Sequence, residues 1–383
     1  MVTLNSADNA LKSFYLDAVT ESLNMKINPF LAKIKHSTAK VTGKDVKQLV
    51  RLGFNGGISA GTETGDLPQA ADGDYVQFMG TLKNLYGKVE ISDKAIRASA
   101  NNEGAFVNLL NDQMESLVKS ASVNFGRMLF GDGSGFLSNV TAVDGEKVQV
   151  DNAQNFIEGM YVEFRKNGAV VSGLERQKIT AVDRDNGAIY VPRGSSVTAG
   201  ATAYIVGSYG NEITGLGAIF SDKTLYGQER TKGFMKPYMN TEVGDITEEA
   251  MQMAIDKIEE NSGGKVNLII CSWGVRRALI ALLKANGVMM PTTQLEGGFT
   301  ALTYNGIPVV VDRFCPAGTM YLLNTDDFTL HQLCDWEWLE AEDGKILKQV
   351  PGKPVYTATL VKYAELMCER PMGQGMLGGI NEA

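Results

Sequence analysis

The sequence EGAFVNLLNDQMESLVKSASVNFGRMLFGDGSG, residues 103–135, decides the fold. Its apolar residues recur at steps of three and four, which is the spacing of an amphipathic helix with one buried stripe. The stripe consists of Phe106, Leu109, Leu110, Met114, Leu117, Ala121, Phe125, Met128 and Leu129. Gly131 and Gly133 end the helix. From Glu103 to Phe130 it would be about 42 Å long, which predicts an elongated subunit built on one backbone element.

Length, charge and hydropathy argue against several classes of protein. The chain has 383 residues, which predicts two or three domains, and its 44% hydrophobic content is sufficient for packed cores. The net charge of −8 argues against a basic surface that grips nucleic acid. No apolar run approaches the roughly 20 residues that span a bilayer, and residues 1–10 lack the pattern of a signal peptide. We therefore expect a protein made and folded in a cytoplasm, with no membrane partner.

Cysteine and histidine offer little material for catalysis or metal binding. The cysteines are Cys271, Cys315, Cys334 and Cys368. They form no C-x-x-C pair, which favours reduced core thiols over disulfides or a metal site. His36 and His331 lie far apart in the sequence and lack metal-ligand spacing. We expect no catalytic residue, no metal and no cofactor.

The first ninety residues predict two parts that need partners. Residues 6–24 have the spacing of a short amphipathic helix, within an N-terminal arm over residues 1–38 that docks on another part of the chain or another subunit. Residues 39–92 alternate as two strands around a polar tip, which predicts a long β-hairpin. The tip glycines are Gly53, Gly56, Gly57, Gly61 and Gly65. A long hairpin is only marginally stable alone, so we expect it to lie on a neighbour.

Three short patterns imitate functional motifs. Gly57–Gly61 fits the G-x-S-x-G nucleophile elbow around Ser59, but turn-forming residues follow where the elbow requires a helix. Residues 262–265 lack the remainder of a phosphate-binding loop. Asp183 and Asp185 lack the terminal glutamate of a calcium loop. We expect a flexible loop tip at Ser59 and ordinary turns at the other two places.

Residues 138–210 predict a small all-β unit, a barrel or a sandwich, inserted in the chain. Short strand-like runs recur through this block. Asn167-Gly168 and Asp185-Asn186-Gly187 are strong hairpin turns between them.

The remainder of the chain is α/β and then β. In residues 211–327, a capping signal at Asp245–Glu248 predicts a helix, and the apolar run Val266–Cys271 predicts a strand buried on both faces. Ser272 is a candidate cap for the next helix. In residues 328–383, strand patterns flank a turn at Asp343-Gly344, and Tyr356–Met367 predicts a long strand that packs beside the helix of residues 103–130.

These parts, in this order, resemble the major capsid proteins of tailed bacteriophages, the Hong Kong 97 type or Johnson fold. Residues 81–135 are similar to the return strand of their E-loop, their spine helix and the turn after it. The segments LIICSWGVRRALIALLK, residues 268–284, and YNGIPVVVDRFCPAGTMYLLNTDDF, residues 304–328, are similar to their axial (A) domain.

The resemblance implies an α+β fold made of known parts. Its domains would be the N-terminal arm at 1–38, the E-loop hairpin at 39–92, the peripheral (P) domain with the spine helix at 93–137, an inserted small all-β domain at 138–210, the A domain at 211–327, and P-domain strands with a C-terminal arm at 328–383. The glycine-rich tip would then contact a neighbouring subunit.

The resemblance also implies a function. The protein would be a structural, non-enzymatic capsid protein that assembles with itself into hexamers and pentamers of an icosahedral shell enclosing double-stranded DNA. It would belong to the virion capsid, after assembly in the host cytoplasm. Further implied partners are portal and scaffold or decoration proteins, and DNA bound without specificity. An encapsulin-type nanocompartment with protein cargo is one alternative, and an α/β hydrolase using Ser59 is another.

Gly126, late in the predicted spine helix, is a candidate hinge. Glycine inside a helix costs about 1 kcal/mol relative to alanine, so its presence implies a need for bending or for close packing. Both explanations, a hinge and a close helix–strand contact, remain open at the level of sequence.

Overall fold

The structure is a computed structural model of the chain. It describes residues 28–39, 41–51, 55–66, 69, 72–94, 103–221, 223–287, 292–294, 300–340, 344 and 346–382. The predicted helix of residues 6–24 and the tip glycine Gly53 therefore lie outside the described residues.

The described elements alternate between long stretches of strand and a few helices. The helices are α1 Pro29–Lys33, α2 Glu103–Met128, α3 Leu216–Ile219, α4 Glu248–Ser262 and α5 Trp273–Ala285. The strands are β1 Lys35–Ser37, β2 Val41–Thr42, β3 Asp45–Arg51, β4 Tyr75–Thr81, β5 Lys83–Ser92, β6 Phe136–Asp144, β7 Lys147–Val150, β8 Tyr161–Lys166, β9 Ala169–Val170, β10 Gln177–Lys178, β11 Ala181–Asp183, β12 Ala188–Tyr190, β13 Thr202–Ile205, β14 Tyr238–Asn240, β15 Leu268–Cys271, β16 Thr292–Gln294, β17 Thr300–Tyr304, β18 Ile307–Val311, β19 Met320–Leu323, β20 Phe328–Trp338, β21 Lys348–Gln349, β22 Val355–Cys368 and β23 Gly375–Leu377.

The predicted long helix is present as α2, 26 residues from Glu103 to Met128. It ends two residues earlier than predicted, because the amides of Phe130 and Gly131 bond to carbonyls three residues back in a tighter turn. Among its described side chains, Met114, Val118, Phe125 and Met128 are buried. The stripe thus has the predicted period, with Val118 added to it.

A five-stranded sheet lies beneath α2, and β22 is its central strand. β22 pairs antiparallel with β20 on one side and with β5 on the other. The register with β5 runs from Val355↔Ser92 to Ala364↔Lys83. A Cβ at Gly87 of β5 would lie 3.1 Å from the Leu117 Cδ1 atom of α2, so the missing side chain lets the helix sit close to the sheet. The predicted long strand is present as β22, and its Lys362 Nζ atom lies 5.2 Å from the centre of the Phe125 ring of α2.

The predicted β-hairpin is formed by β3 and β4, in register from Asp45↔Thr81 to Arg51↔Tyr75. Its return strand changes partner at Leu82. Before this residue β4 pairs with β3, and after it β5 pairs with β22. Both halves alternate in hydropathy, so the sequence carries no mark of the change.

The α/β part of the chain builds a seven-stranded sheet in the order β14-β23-β19-β15-β18-β17-β16. All four residues of β15 are buried, as predicted. Ile269 and Cys271 face a core shared with α4 and α5, whereas Leu268 and Ile270 face the core shared with α2. The Thr247 and Ser272 side chains cap α4 and α5 by accepting from the Ala250 and Val275 amides.

Residues 136–205 fold into an eight-stranded sheet in the order β10-β8-β13-β6-β7-β12-β11, with β9 paired to β8. Its apolar residues form a cluster of their own, which includes the fully buried Phe156 and Phe164. We call residues 136–205 the β-unit. Burial of apolar side chains in this separate core stabilises the β-unit independently of the remainder of the subunit, which we call the body.

We expect Phe156→Ala to destabilise the β-unit by about 3–5 kcal/mol, because the substitution leaves a cavity in a core with no solvent contact. Hydrogen exchange should then rise in peptides of residues 136–205 and stay unchanged in β15 and β22. Val206→Ala, at a partly exposed position, is the matched control and should change little. Equal loss of protection in every peptide would show that the β-unit and the body unfold together.

Candidate assembly surfaces

One face of the hairpin is buried on the body, and the other is uncovered in the subunit. Residues paired directly across β3 and β4 point to the same side. Val46 and Phe78 face the body and are buried, whereas Leu49, Met79 and Tyr75 face outward, Leu49 with 67% of its surface exposed. Three large apolar side chains on one uncovered face are what a subunit interface requires.

The hairpin tip extends beyond this face, and its described glycines are Gly56, Gly57, Gly61 and Gly65. The Gly65 amide donates to the Thr62 carbonyl at 3.1 Å, and a Cβ at residue 65 would lie 2.7 Å from the Thr62 Oγ1 atom. A larger residue at position 65 would therefore require the Thr62 side chain to move. Ile58 is 88% exposed. Contact of these glycines with another subunit stays a prediction.

The nucleophile pattern around Ser59 lies in this tip. Ser59 is exposed in a segment without helix or strand, where a nucleophile elbow would have a helix. The histidine downstream, His331, is buried on β20 with its Nε2 atom 3.1 Å from Gln48 Oε1. Ser59 thus lacks the strand–turn–helix setting that exposes a catalytic serine.

The cysteines are free thiols, and Cys271, Cys315 and Cys368 are buried. Burial raises the pKa of the Cys271 thiol to about 12, so it is protonated and unreactive at neutral pH. Across the described part of the chain, no three acidic, histidine or cysteine side chains are grouped to hold a metal ion. No helix in the same part combines the length and the apolar content needed to cross a membrane.

Gly126 faces a crowded part of α2. A Cβ there would lie 3.3 Å from the Phe314 Cε2 atom and 3.6 Å from the Asn28 Nδ2 atom. Phe314 follows β18, and Asn28 caps α1 by accepting from the Phe30 and Leu31 amides. Glycine therefore lets two other segments approach the helix, although the contact is with loops and not with a strand. The hinge hypothesis stays a prediction.

The chain enters and leaves the β-unit through two segments packed side by side at the end of α2. A Cβ at Gly135 would lie 2.4 Å from the Ser208 carbonyl oxygen, and a Cβ at Gly215 would lie 2.4 Å from the Met128 carbonyl oxygen. No side chain fits at either place. We call this place the crossing of the two segments. The sequence predicted the turn after the helix but not the crossing, because the residues that meet there are 73 to 87 positions apart.

A buried ion pair lies at the same crossing, where the segment that leaves the β-unit passes the end of α2. The Arg127 guanidinium on α2 donates to Glu212 Oε1, and both side chains are almost fully buried. Arg127 Nε and Nη2 also donate to Asn124 Oδ1, at 3.1 and 3.0 Å. Removing one partner of such a pair leaves an uncompensated buried charge, so the pair ties the end of α2 to the segment that leaves the β-unit.

A groove of about 690 Å³ runs between α2, β5 and the β-unit. Its apolar lining includes Tyr86, Leu117, Phe125, Met160, Tyr161 and Val206. Lys88 and Arg176 supply positive charge, and the Arg176 guanidinium lies 4.3 Å from the centre of the Tyr161 ring. Glu158 also lines the groove, and Lys88 Nζ lies 2.6 Å from Glu90 Oε1, so the groove is apolar with charges of both signs.

The comparisons with known proteins agree with this architecture. The sequence model of the family described as SU10 major capsid protein matches residues 26–345, which is most of the chain. The chain belongs to the SU10 major capsid protein family. It is therefore a major capsid protein of phage, a structural protein of a shell and not an enzyme. The predicted capsid function is confirmed.

Solved structures show the same fold at low sequence identity. The cyanophage A-1(L) capsid asymmetric unit matches with a TM-score of 0.54 and 12% identity, over 95% of this chain and 92% of that one. The capsid of an empty GTA particle matches with a TM-score of 0.50 and 11% identity, over 94% and 90%. The predicted α+β capsid fold of Hong Kong 97 type is thereby confirmed.

An encapsulin complex from Synechococcus elongatus PCC 7942 also matches, with a TM-score of 0.45 and 10% identity over 93% of this chain and 89% of that one. No curated protein matches the sequence. The family match spans the whole β-unit of this capsid protein.

We expect Arg127→Met to cost about 3–5 kcal/mol of subunit stability, because it leaves the Glu212 carboxylate buried without its partner. Glu212→Gln should cost a similar amount. The double variant should cost less than the sum, since each single change already breaks the same pair. Denaturant unfolding of the purified variants measures all three values. Additive costs would mean that the pair is not coupled, and Glu260→Gln, in an exposed pair with Lys257, serves as control.

Proposed function

We propose that this capsid protein assembles into hexamers and pentamers of an icosahedral shell that encloses double-stranded DNA. The observation that carries the proposal is the hairpin, whose outer face exposes Leu49, Tyr75 and Met79 in the isolated subunit. In the assembled shell, another copy of the chain would bury that face. A head-to-tail contact of this kind is heterologous and closes into rings by rotation.

The hairpin tip is the part we propose to reach across the neighbouring subunit. Its acidic residues are Glu63, Asp66, Asp72 and Asp74, and the sequence has no lysine or arginine between Arg51 and Lys83. The groove beside α2 carries Lys88 and Arg176. Opposite charge and a shared apolar content support an arrangement in which the tip of one copy lies along the spine helix of the next.

The proposed content of the shell follows from charge. At a net charge of −8, the subunit suits an inner wall that encloses DNA without gripping it. Portal and scaffold or decoration proteins are the further partners we propose, with assembly in the host cytoplasm before incorporation into the virion. We also propose that residues 138–210 are an inserted domain on the outside of the shell.

Electron microscopy of the purified full chain tests the shell directly. We expect closed particles with hexameric and pentameric rings, and particles from infected cells should contain nuclease-protected DNA. Particles that contain protein cargo and no DNA would favour the encapsulin alternative. A protein that stays a monodisperse monomer under every condition tried would contradict the shell.

Ile58→Asp should reduce the yield of assembled particles at least tenfold without changing the stability of the subunit, because residue 58 is exposed in the free chain and buried in the proposed contact. Ser59→Asp adds the same charge one residue away without removing an apolar side chain, so it is the matched control. Sedimentation separates particles from subunits. Normal assembly of Ile58→Asp would place the contact elsewhere.

If α2 bends at residue 126 when the shell expands, Gly126→Ala should impair that expansion. The methyl group meets the Phe314 ring at 3.3 Å, so a modest loss of subunit stability is expected from packing alone. Particle diameter before and after maturation, measured by microscopy, distinguishes the two effects. Particles that assemble and mature normally would leave only the packing role.

A further inference from the structure

The hairpin contacts the body through residues 46–48 and 77–80, which we call its root. Part of this contact is made by the turn at residues 225–228. The Met79 amide on β4 donates to the Tyr226 carbonyl at 3.1 Å, and Gln228 Nε2 donates to the Gln77 carbonyl at 3.2 Å. The Phe78 ring packs on the Tyr226 ring with centroids 5.6 Å apart. These contacts hold the hairpin against the body. We call the hairpin seated when they are made and lifted when they are broken.

Beside this turn, the root covers a cluster of polar side chains that water does not reach. Gln48 on β3 is 2% exposed, and its Oε1 atom lies 3.1 Å from His331 Nε2. Gln48 Nε2 donates to Glu369 Oε1. On β22, Glu365 is the direct cross-strand neighbour of His331 and is 1% exposed. Two strands of the hairpin and two of the body thus meet over ionisable groups as well as over the apolar contacts of Val46 and Phe78.

Glu365 is covered directly by the hairpin. A Cβ at Gly80 of β4 would lie 3.3 Å from the Glu365 Cγ atom, so the bare backbone of β4 rests on this side chain. On its other side, Glu365 Oε1 accepts from the Thr214 amide at 2.7 Å. The hairpin therefore forms part of the wall that separates the carboxyl group from solvent.

Burial decides the charge of Glu365. Desolvation raises the pKa of this carboxyl to about 7, against the lowering effects of the Thr214 hydrogen bonds and of Lys83 on β5. The other ionisable groups around the root are His331 on β20, Tyr226 in the turn, Arg230, Glu369 and Asp327, which precedes β20. Burial also raises the pKa of Asp327, to about 6.

We propose that Glu365 makes the hairpin root a protonation-controlled joint, in which the neutral carboxyl keeps the hairpin seated and the ionised carboxylate favours a lifted root. A lifted root admits water to the carboxylate, so the lifted state has the ordinary glutamate pKa and the seated state the raised one. The seated state is then fully stabilised below about pH 4.5, and this stabilisation is lost as the pH rises through 7. The joint would act in the free subunit, whether or not the hairpin contacts a neighbour.

Hydrogen exchange of the purified full chain tests the joint. Peptides covering residues 75–82 contain the Met79 amide that bonds to the body, and their rates are corrected for the intrinsic pH dependence of exchange. In the wild type we expect the opening constant of this segment to rise at least tenfold from pH 5 to pH 7 and to level off above pH 8. Peptides from the paired centre of β20 and β22 should not follow.

Two variants test whether ionisation of Glu365 causes the rise in the opening constant. Glu365→Gln keeps an oxygen for the Thr214 amide but cannot ionise, so the opening constant should stay at its low-pH value throughout. Asp327→Asn removes another carboxyl whose pKa is raised and should retain the full rise. The same rise in Glu365→Gln, or its loss in Asp327→Asn, would overturn the assignment. If Glu365→Gln does not fold, the wild type alone decides: no rise at residues 75–82, or an equal rise in every peptide, overturns the proposal.

Discussion

The antiparallel pairing of β22 with β5 is the interaction on which the rest of the subunit depends. It joins residues 83–92 to residues 355–364. Helix α2, the β-unit and six strands of the seven-stranded sheet lie between these two segments in the sequence, and the chain returns to the five-stranded sheet at β20. A contact between segments this far apart in sequence carries a large loop-closure cost, which only burial along both strands can offset. The two aligned strands also supply the surface on which α2 lies.

Two further features hold the parts in fixed positions on that sheet. The seven-stranded sheet buries Ile269 toward α4 and α5 and Ile270 toward the core shared with α2, so this sheet cannot turn without opening both cores. At the other end, Arg127 and Glu212 form a buried pair beside the glycines of the crossing. The body of the capsid protein is therefore rigid where its parts meet.

The hairpin is the exception to this rigidity. Its inner face combines Phe78 with the polar Gln48, and its outer face is left uncovered. Val46 and Phe78 attach the root by apolar contacts, and its position over Glu365 and His331 makes part of the attachment depend on protonation. The element that we propose to contact the neighbouring subunit is thus one whose attachment to its own chain depends on protonation.

The sequence alone determined the elements whose signals are local. The period of residues 103–130, the buried run Val266–Cys271 and the capping residues Thr247 and Ser272 each depend on neighbours within one turn or one strand, and the order of these elements was enough to indicate a capsid fold. Only the tertiary structure decided that the return strand changes partner at Leu82, that Gly126 lies against Phe314, and that Arg127 meets Glu212. These facts depend on residues 85 to 281 positions apart, and no local period or propensity records which distant segment fills a given space.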